Sequence, residues 1–297
     1  MTKNKKKFEQ TSECPSPKGI LIAIGGKENK GQEPAENSEL GNNENFITLG
    51  ILNCFKTELK RENPLIGIIP TASSVPEESA NDYLKAFKKL DLTNVQVIDI
   101  RCREDASKEE FLKLAEQVDG IMFTGGDQLR LTAIFGGTEF LNILKFRYTY
   151  DNIVIAGTSA GAMAMSTPMI YEGPTNGGGF LKGEVRITTG LEFLKDIAID
   201  THFIARGRIV RMTQAIATNP GCIGIGLEED TGIIVREGRN LEVIGSGLIV
   251  IVDGHQSTET NVHLVDTGAP VTIRNLIVHM LGQGDQYQIN VSDSFHK

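Results

Sequence analysis

Short apolar runs alternate with amphipathic segments along the first two thirds of the chain. Five such runs have the length and the Gly, Pro, Asn or Asp boundaries of buried parallel strands; they occupy positions 19–26, 65–69, 95–100, 120–124 and 153–156. Between them, apolar residues recur every three or four positions with charged residues opposite, in 46–61, 77–90 and 108–117. This alternation predicts an α/β fold with a doubly wound, mostly parallel sheet.

The last third of the chain has a different pattern. Short β-branched runs separated by Gly, Asp or Asn predict antiparallel strands that extend the sheet near its edge; they lie at 222–227, 231–235, 241–244 and 248–252, and 271–279 closes this part. Because no internal repeat is found, residues 19–297 are predicted to form a single α/β domain after a flexible amino-terminal tail over 1–18. The polar, aperiodic stretch 27–45 predicts a mobile insertion after the first strand.

Composition narrows the class of protein. A chain of 297 residues that is 40% hydrophobic can bury a sizeable core, and a net charge of -8 argues against binding to nucleic acid or to an anionic membrane. The four cysteines are scattered and lack metal-ligand spacing, so they are predicted to be reduced thiols. Without a recognisable secretory signal or an apolar run that could span a bilayer, a cytoplasmic location is expected.

The loops that follow the predicted strands are the candidates for chemistry, because ligands bind doubly wound sheets at the carboxyl ends of their strands. One of them contains Gly157-Thr158-Ser159-Ala160-Gly161, a G-x-S-x-G nucleophile elbow. A sharp strand-to-helix turn has no room for bulky residues two positions on either side of the serine, and the next backbone N–H can stabilise an oxyanion. The motif favours a serine hydrolase, with an ordinary tight turn as the alternative.

A serine nucleophile needs a base, and the base needs a partner that orients it. Of the five histidines, His202 stands out because it ends a short apolar strand pattern and precedes an arginine-rich segment. Three arginines lie in 200–211, and 226–230 places a carboxylate cluster at the end of another apolar run. All of these groups can reach one cleft.

Five segments carry a resemblance that covers most of the chain: AIGGKENK at 23–30, FTGGDQLRL at 123–131, GTSAGAMAMS at 157–166, DTHFIARGRIVRM at 200–212 and GIGLEEDT at 224–231. In this order and spacing they resemble the cyanophycinases of serine peptidase family S51. That family's fold is related to class I glutamine amidotransferases, a flavodoxin-like arrangement. Five ordered motifs are more specific than one elbow.

The resemblance implies a role for each matching residue. Ser159 would be the nucleophile, His202 the general base and then acid, and Glu229, in preference to Glu228, the residue that orients His202. The oxyanion hole would consist of the N–H of Ala160 together with that of Gly126 or Asp127. The implied substrate-binding residues are Gln128, Asp200, Arg206, Arg208 and Arg211.

Two alternatives within the last set stay open. Asp200 is equally expected to pair with a nearby arginine, and Arg208 and Arg211 have the spacing of a solvated helix face.

The implied activity is that of an exopeptidase that needs no metal or organic cofactor. It would act through an acyl-enzyme on cyanophycin, a polyaspartate with arginine attached through each β-carboxyl, and release β-aspartyl-arginine dipeptides. Guanidinium groups would hold the recurring carboxylates of this polymer. A homodimer is also expected from the resemblance.

Three other functions compete with this one. An α-aspartyl dipeptidase and a non-catalytic peptide-binding homologue remain alternatives. An esterase is disfavoured because the chain order here is Ser, His, Glu rather than the Ser, Asp, His order of α/β-hydrolases.

Overall fold

A computed structural model of the protein describes residues 15–31 and 50–289. Most of the predicted tail over 1–18 and of the predicted insertion over 27–45 therefore lies outside the described residues.

The described chain alternates between strands and helices in its first half and consists mainly of strands after that. The strands are β1 Ile20–Ile24, β2 Ile66–Ile69, β3 Val95–Val97, β4 Gly120–Phe123, β5 Val154–Thr158, β6 Ser166–Thr167, β7 Met169–Glu172, β8 Arg186–Thr188, β9 Leu194–Lys195, β10 Ile197–Thr201, β11 Ile223–Leu227, β12 Thr231–Arg236, β13 Asn240–Gly245, β14 Ile249–Asp253, β15 Glu259–Thr260, β16 Ile273–Arg274, β17 Ile277–Leu281 and β18 Gln286–Gln288. The α-helices are α1 Ile51–Glu58, α2 Pro76–Lys89, α3 Glu109–Gln117, α4 Gln128–Phe135, α5 Glu139–Tyr150, α6 Ala160–Ala164 and α7 Ile209–Thr218.

An eight-stranded sheet contains the five predicted parallel strands. Its order is β18-β13-β12-β1-β5-β4-β2-β3, and β1, β5, β4, β2 and β3 are mutually parallel. Strand alternation sends Ile22 and Ile24 to one face, where α1 and α2 cover them, and Leu21 and Ala23 to the other. The prediction of a doubly wound, mostly parallel sheet is confirmed.

A second sheet corrects the prediction for the last third of the chain. The strands near 231–235 and 241–244 do extend the first sheet in antiparallel fashion, as β12 and β13. Those near 222–227 and 248–252 instead form β11 and β14 of a six-stranded sheet, ordered β17-β14-β11-β10-β6-β9. Periodicity marks a strand and its buried face but does not identify its neighbours, so both pairs looked alike in sequence.

The two sheets share one buried cluster. It contains Leu21 and Ile155 of the first sheet, Ile199 and Ile251 of the second, and Ala162 of α6 between them. Ser159 follows directly after strand β5 of the first sheet and His202 directly after strand β10 of the second.

Candidate active site

The turn from β5 into α6 has the geometry of a nucleophile elbow. Ser159, between them, adopts φ 50° and ψ -113°, a backbone conformation that side chains rarely adopt. A Cβ on Gly157 would lie 2.6 Å from the carbonyl carbon of Gly161, and one on Gly161 would lie 2.6 Å from the carbonyl oxygen of Phe123. Both glycines of the motif are thus required by close backbone contacts, as the sequence pattern predicts.

The end of β1 fixes three separate segments of the site. Successive carbonyls there accept backbone N–H groups at 2.8 to 3.0 Å: Ser159 donates to Ile24, His202 to Gly25 and Asp230 to Gly26. Each donor belongs to a different segment that carries a candidate catalytic residue. Backbone hydrogen bonds to one rigid strand end therefore set the relative positions of these segments.

The side chains of Ser159, His202 and Glu229 form one chain of hydrogen bonds. The Oγ of Ser159 lies 3.1 Å from Nε2 of His202, and Nδ1 of His202 lies 2.7 Å from Oε1 of Glu229. An ionised carboxylate only accepts hydrogen bonds, so Nδ1 of His202 carries the proton and Nε2 is left as the acceptor for the serine hydroxyl. Lys27, which the sequence analysis did not single out, also contacts Oε1 of Glu229, at 3.0 Å.

The two neighbouring glutamates have different partners. The carboxylate of Glu228 accepts the backbone N–H groups of Ile204 at 2.5 Å and Ala205 at 3.0 Å, in the turn that follows His202. The structure thus brings Glu229, not Glu228, to the imidazole, and Glu228 supports the backbone of the adjacent turn.

Burial and neighbouring charges shift the pKa values of His202 and Glu229 in the directions that a general base and its partner need. Burial lowers the pKa of His202, the hydrogen bond to Glu229 opposes this, and the positive charges of Arg206 and Arg208 add to the lowering. Burial would raise the pKa of Glu229, but its hydrogen bonds with His202 and Lys27 outweigh that effect and the pKa lies below its ordinary value. At neutral pH the imidazole is therefore neutral and the carboxylate ionised.

The backbone donors predicted for an oxyanion hole differ in availability. The N–H of Asp127 donates to the carbonyl of Ala72 at 2.9 Å and is therefore not free to bind an oxyanion. The side chain of Asp127 caps α4 by accepting the N–H of Leu129. The sequence predicts Gly126 or Asp127 as the second donor, and the contact with Ala72 removes the N–H of Asp127 from that choice. Within the described residues the N–H of Gly126 and that of Ala160, the first residue of α6, have no acceptor.

The residues predicted to bind substrate around Asp200 form a buried ion cluster instead. The carboxylate of Asp200 is fully buried and accepts Nη1 of Arg208 at 2.9 Å and Nε of Arg211 at 2.5 Å, with a further contact from Nη2 of Arg211. Arg208 and Arg211 are only 7% and 4% exposed. The prediction that all three contact substrate is corrected here, because their charged groups bind one another, and of the three arginines only Arg206 is exposed.

Gln128 is half-buried at the start of α4. Its side-chain amide donates to the carbonyls of Ile170 at 3.1 Å and Tyr171 at 3.2 Å, so it joins α4 to β7. This leaves the amide oxygen as the group with which Gln128 can contact a ligand.

A cavity of about 350 Å³ opens in front of Ser159. Ser159 and His202 lie at its wall, together with charged residues of both signs that the sequence analysis did not identify as a group: Lys27, Glu28, Lys30, Glu78 and Asp82. The first three belong to the AIGGKENK segment after β1, which was visible as a motif, whereas Glu78 and Asp82 lie on α2 and follow its ordinary surface pattern.

Two further classes of feature are absent from the described residues. Across 15–31 and 50–289, no three His, Cys, Asp or Glu side chains group in a way that could hold a metal ion. None of the helices in this part of the chain combines the length and apolar character needed to cross a membrane.

Comparison with known proteins identifies relatives over most of the chain. Residues 37–243 match the model of Peptidase family S51. A cyanophycinase of Synechococcus elongatus is 33% identical over 282 residues, covering 94% of this chain and 82% of its own. A cyanophycinase of Trichormus variabilis is 34% identical over 250 residues, covering 83% of this chain and 84% of its own.

A solved structure supports the fold independently. The crystal structure of a peptidase from an acI-B1 Actinobacterium superposes with a TM-score of 0.64 at 18% identity, covering 93% of this chain and 98% of that one.

Proposed function

This chain belongs to peptidase family S51, and from that premise we propose that it is a serine exopeptidase that hydrolyses the aspartyl backbone of cyanophycin to β-aspartyl-arginine dipeptides. The observation that carries the proposal is the hydrogen-bonded series Ser159, His202 and Glu229, whose first two members lie at the wall of a cavity with charges of both signs. Each residue of cyanophycin carries a carboxylate and a guanidinium, so a cavity of mixed charge suits it. Relatives at 33% and 34% identity that are named cyanophycinases support the same substrate.

The first half of the reaction forms an acyl-enzyme. The Oγ of Ser159 attacks the carbonyl carbon of the scissile peptide bond while its proton passes to Nε2 of His202. The N–H groups of Ala160 and Gly126 stabilise the oxyanion of the tetrahedral intermediate. His202 then protonates the leaving amine, the C–N bond breaks, and Ser159 holds the acyl group as an ester.

The second half regenerates the enzyme. His202 takes a proton from water, which attacks the ester carbonyl, and then returns that proton to the Oγ of Ser159 as the carboxylic acid departs. Throughout both halves Glu229 keeps Nδ1 of His202 protonated and stabilises the imidazolium that forms twice.

One observation favours a second candidate, an α-aspartyl dipeptidase. Such an enzyme requires fewer basic contacts, and Arg208 and Arg211 are buried against Asp200 rather than open to substrate. The same catalytic residues would then act on a short aspartyl peptide in place of the polymer.

The test incubates the protein with insoluble cyanophycin in one series and with aspartyl dipeptides in another, followed by mass analysis of the soluble products. Ser159→Ala removes the nucleophile, and Ser107→Ala, an exposed serine remote from the site, is the matched control. Dipeptides of aspartate and arginine from the wild type and from Ser107→Ala alone support the proposal. Cleavage of only the free dipeptides favours the second candidate, and binding without cleavage by folded protein favours a peptide-binding role.

The homodimer expected from the family resemblance remains a prediction. Sedimentation velocity of the purified protein across a range of concentrations tests it.

A further inference from the structure

Because Arg208 and Arg211 are buried, another cation must bind the carboxylates of a substrate. Arg208 and Arg211 bind Asp200. Among the described residues that line the cavity in front of Ser159, the cations are Lys27 and Lys30. Lys27 is 69% exposed at its side chain and contacts Glu229, so its position depends on a flexible chain in solvent.

Lys30, by contrast, is held in place from two sides. Its ammonium lies 2.9 Å from Oε1 of Glu28 and 4.9 Å from the centre of the Tyr83 ring, and its side chain is only 22% exposed. Both contacts favour a cation, one by charge pairing and the other through the face of the aromatic ring. An ammonium has three N–H donors, and Glu28 takes one of them. Among the described residues no second acceptor contacts this ammonium, so its remaining donors can bond to a ligand in the cavity that Lys30 lines.

The anion beneath Lys30 is fixed relative to the nucleophile. Glu28 has a fully buried side chain, and its carboxylate accepts the hydroxyls of Tyr83 and, at 2.6 Å, of Thr158. Thr158 is the residue immediately before Ser159. Burial would raise the pKa of Glu28, but the charge of Lys30 and the two hydroxyl hydrogen bonds lower it below its ordinary value, so the carboxylate remains ionised. Lys30 is thereby held at a set distance from the reacting serine.

We propose that Lys30 is a specificity-determining residue of this site, and that it binds a free carboxylate of the peptide whose backbone Ser159 attacks. This inference rests on the proposed function, because it assumes a substrate that carries carboxylates. It replaces Arg208 and Arg211 in the role that the sequence motif suggested for them. The competing explanation is that Lys30 only neutralises the buried carboxylate of Glu28.

The experiment separates these explanations by removing the buried charge first. All variants are made on a Ser159→Ala background, which permits binding without turnover. Glu28→Gln keeps Lys30 but removes the buried carboxylate that Lys30 would otherwise neutralise. Glu28→Gln/Lys30→Met removes both members of the pair together and so avoids an unpaired buried charge. Glu28→Gln/Lys30→Arg restores a cation. Thermal unfolding of each variant establishes that it is folded before binding is measured.

The ligands are a synthetic β-aspartyl-arginine oligomer and the same oligomer with its free carboxylates converted to amides, and calorimetry gives both affinities. With Lys30 present, the acid is expected to bind about tenfold tighter than the amide, the size of one charge-assisted hydrogen bond. With Met at position 30 the two affinities should become equal, and Arg should restore most of the difference. A tenfold preference that persists without Lys30, or equal affinities or no binding with Lys30 present, overturns the inference.

The same peptides distinguish this inference from the proposed function. Wild-type protein that binds the acid oligomer through Lys30 without cleaving it contradicts the exopeptidase and leaves the role of Lys30 supported. Cleavage of the acid and amide oligomers with equal efficiency by the wild type supports the exopeptidase and overturns the role of Lys30.

Discussion

Replacing Asp200 with asparagine tests whether the arginine cluster maintains the fold or contacts substrate. The side chain of Asp200 is fully buried and accepts hydrogen bonds from both Arg208 and Arg211, through contacts of 2.9 Å and 2.5 Å and a third to Nη2 of Arg211. Asparagine has nearly the same shape and retains one acceptor oxygen, but it carries no charge. Asp200→Asn therefore leaves two buried guanidinium groups without an anion.

The expected cost follows from this uncompensated charge. Breaking a buried ion pair by removing one partner destabilises a protein by about 3–5 kcal/mol, because the remaining charge loses its partner without regaining water. For a domain of this size, that corresponds to a fall in Tm of about 10 °C. Arg208 also donates to the carbonyl of Thr201 at 2.8 Å, directly before His202, so kcat should fall in the folded fraction as well.

Thermal and urea unfolding of Asp200→Asn measure this cost, with KM and kcat determined at a temperature where the variant is folded. The matched control is Glu109→Gln, which breaks the exposed pair between Glu109 and Lys113 on α3 and should leave Tm unchanged. A variant with wild-type Tm and wild-type kcat but a strongly raised KM would refute the reasoning. It would mean that the arginines are free to bind substrate, as the sequence motif suggested.

Three further predictions concern His202 and the residues that surround it. Glu229→Gln should lower kcat by about 10⁴-fold through loss of the correct tautomer of His202, whereas Glu228→Gln should change kcat far less; a larger effect at Glu228 would contradict the hydrogen bonds seen here. Arg206→Gln should raise the pKa of His202, because a positive charge that lowers it is removed. In the proposed mechanism His202 is a neutral base, so kcat/KM is lost as pH falls through that pKa, and the acid limb of the profile should move to higher pH at low salt. Gly26→Ala would place a Cβ 2.5 Å from Cε1 of His202 and should lower kcat by about 100-fold, and unchanged kinetics would show that the imidazole can shift without loss.

Local patterns sufficed for the parallel strands of the first sheet and for the sharp turn at Ser159. The five parallel strands and the elbow at Ser159 follow from apolar runs and from glycines at fixed positions, features that depend on neighbours in sequence. The pairing of His202 with Glu229 rather than Glu228 does not follow from such patterns. Adjacent side chains on a turn point in different directions, and only the backbone conformation decides which of them faces the imidazole.

Local patterns could not predict the second sheet or the burial of Arg208 and Arg211, for a different reason. β11 and β12 are consecutive in sequence, with similar composition, yet β11 pairs with β10 and β14 while β12 pairs with β1 and β13. Arg208 and Arg211 have the spacing of an exposed helix face, and the alternative, pairing with Asp200 8 and 11 residues earlier, was left open by the sequence. The strand pairing is set by contacts between distant parts of the chain, whereas the arginine cluster depends on the turn that joins β10 to α7.

The two glycines that follow β1 illustrate how the fold holds these distant parts together. Ser159 follows a strand of the first sheet and His202 a strand of the second, while Glu229 lies in the connection from the second sheet back to the first. A Cβ on Gly25 would lie 1.9 Å from the carbonyl oxygen of Glu228, and one on Gly26 would contact the ring of His202. The backbone after β1 can therefore touch both the imidazole and the acidic turn only because side chains are absent at these positions. Neither glycine supplies a reacting group, yet the hydrogen bonds among Ser159, His202 and Glu229 depend on both, because any larger residue would separate the sheets at the point where these candidate catalytic residues meet.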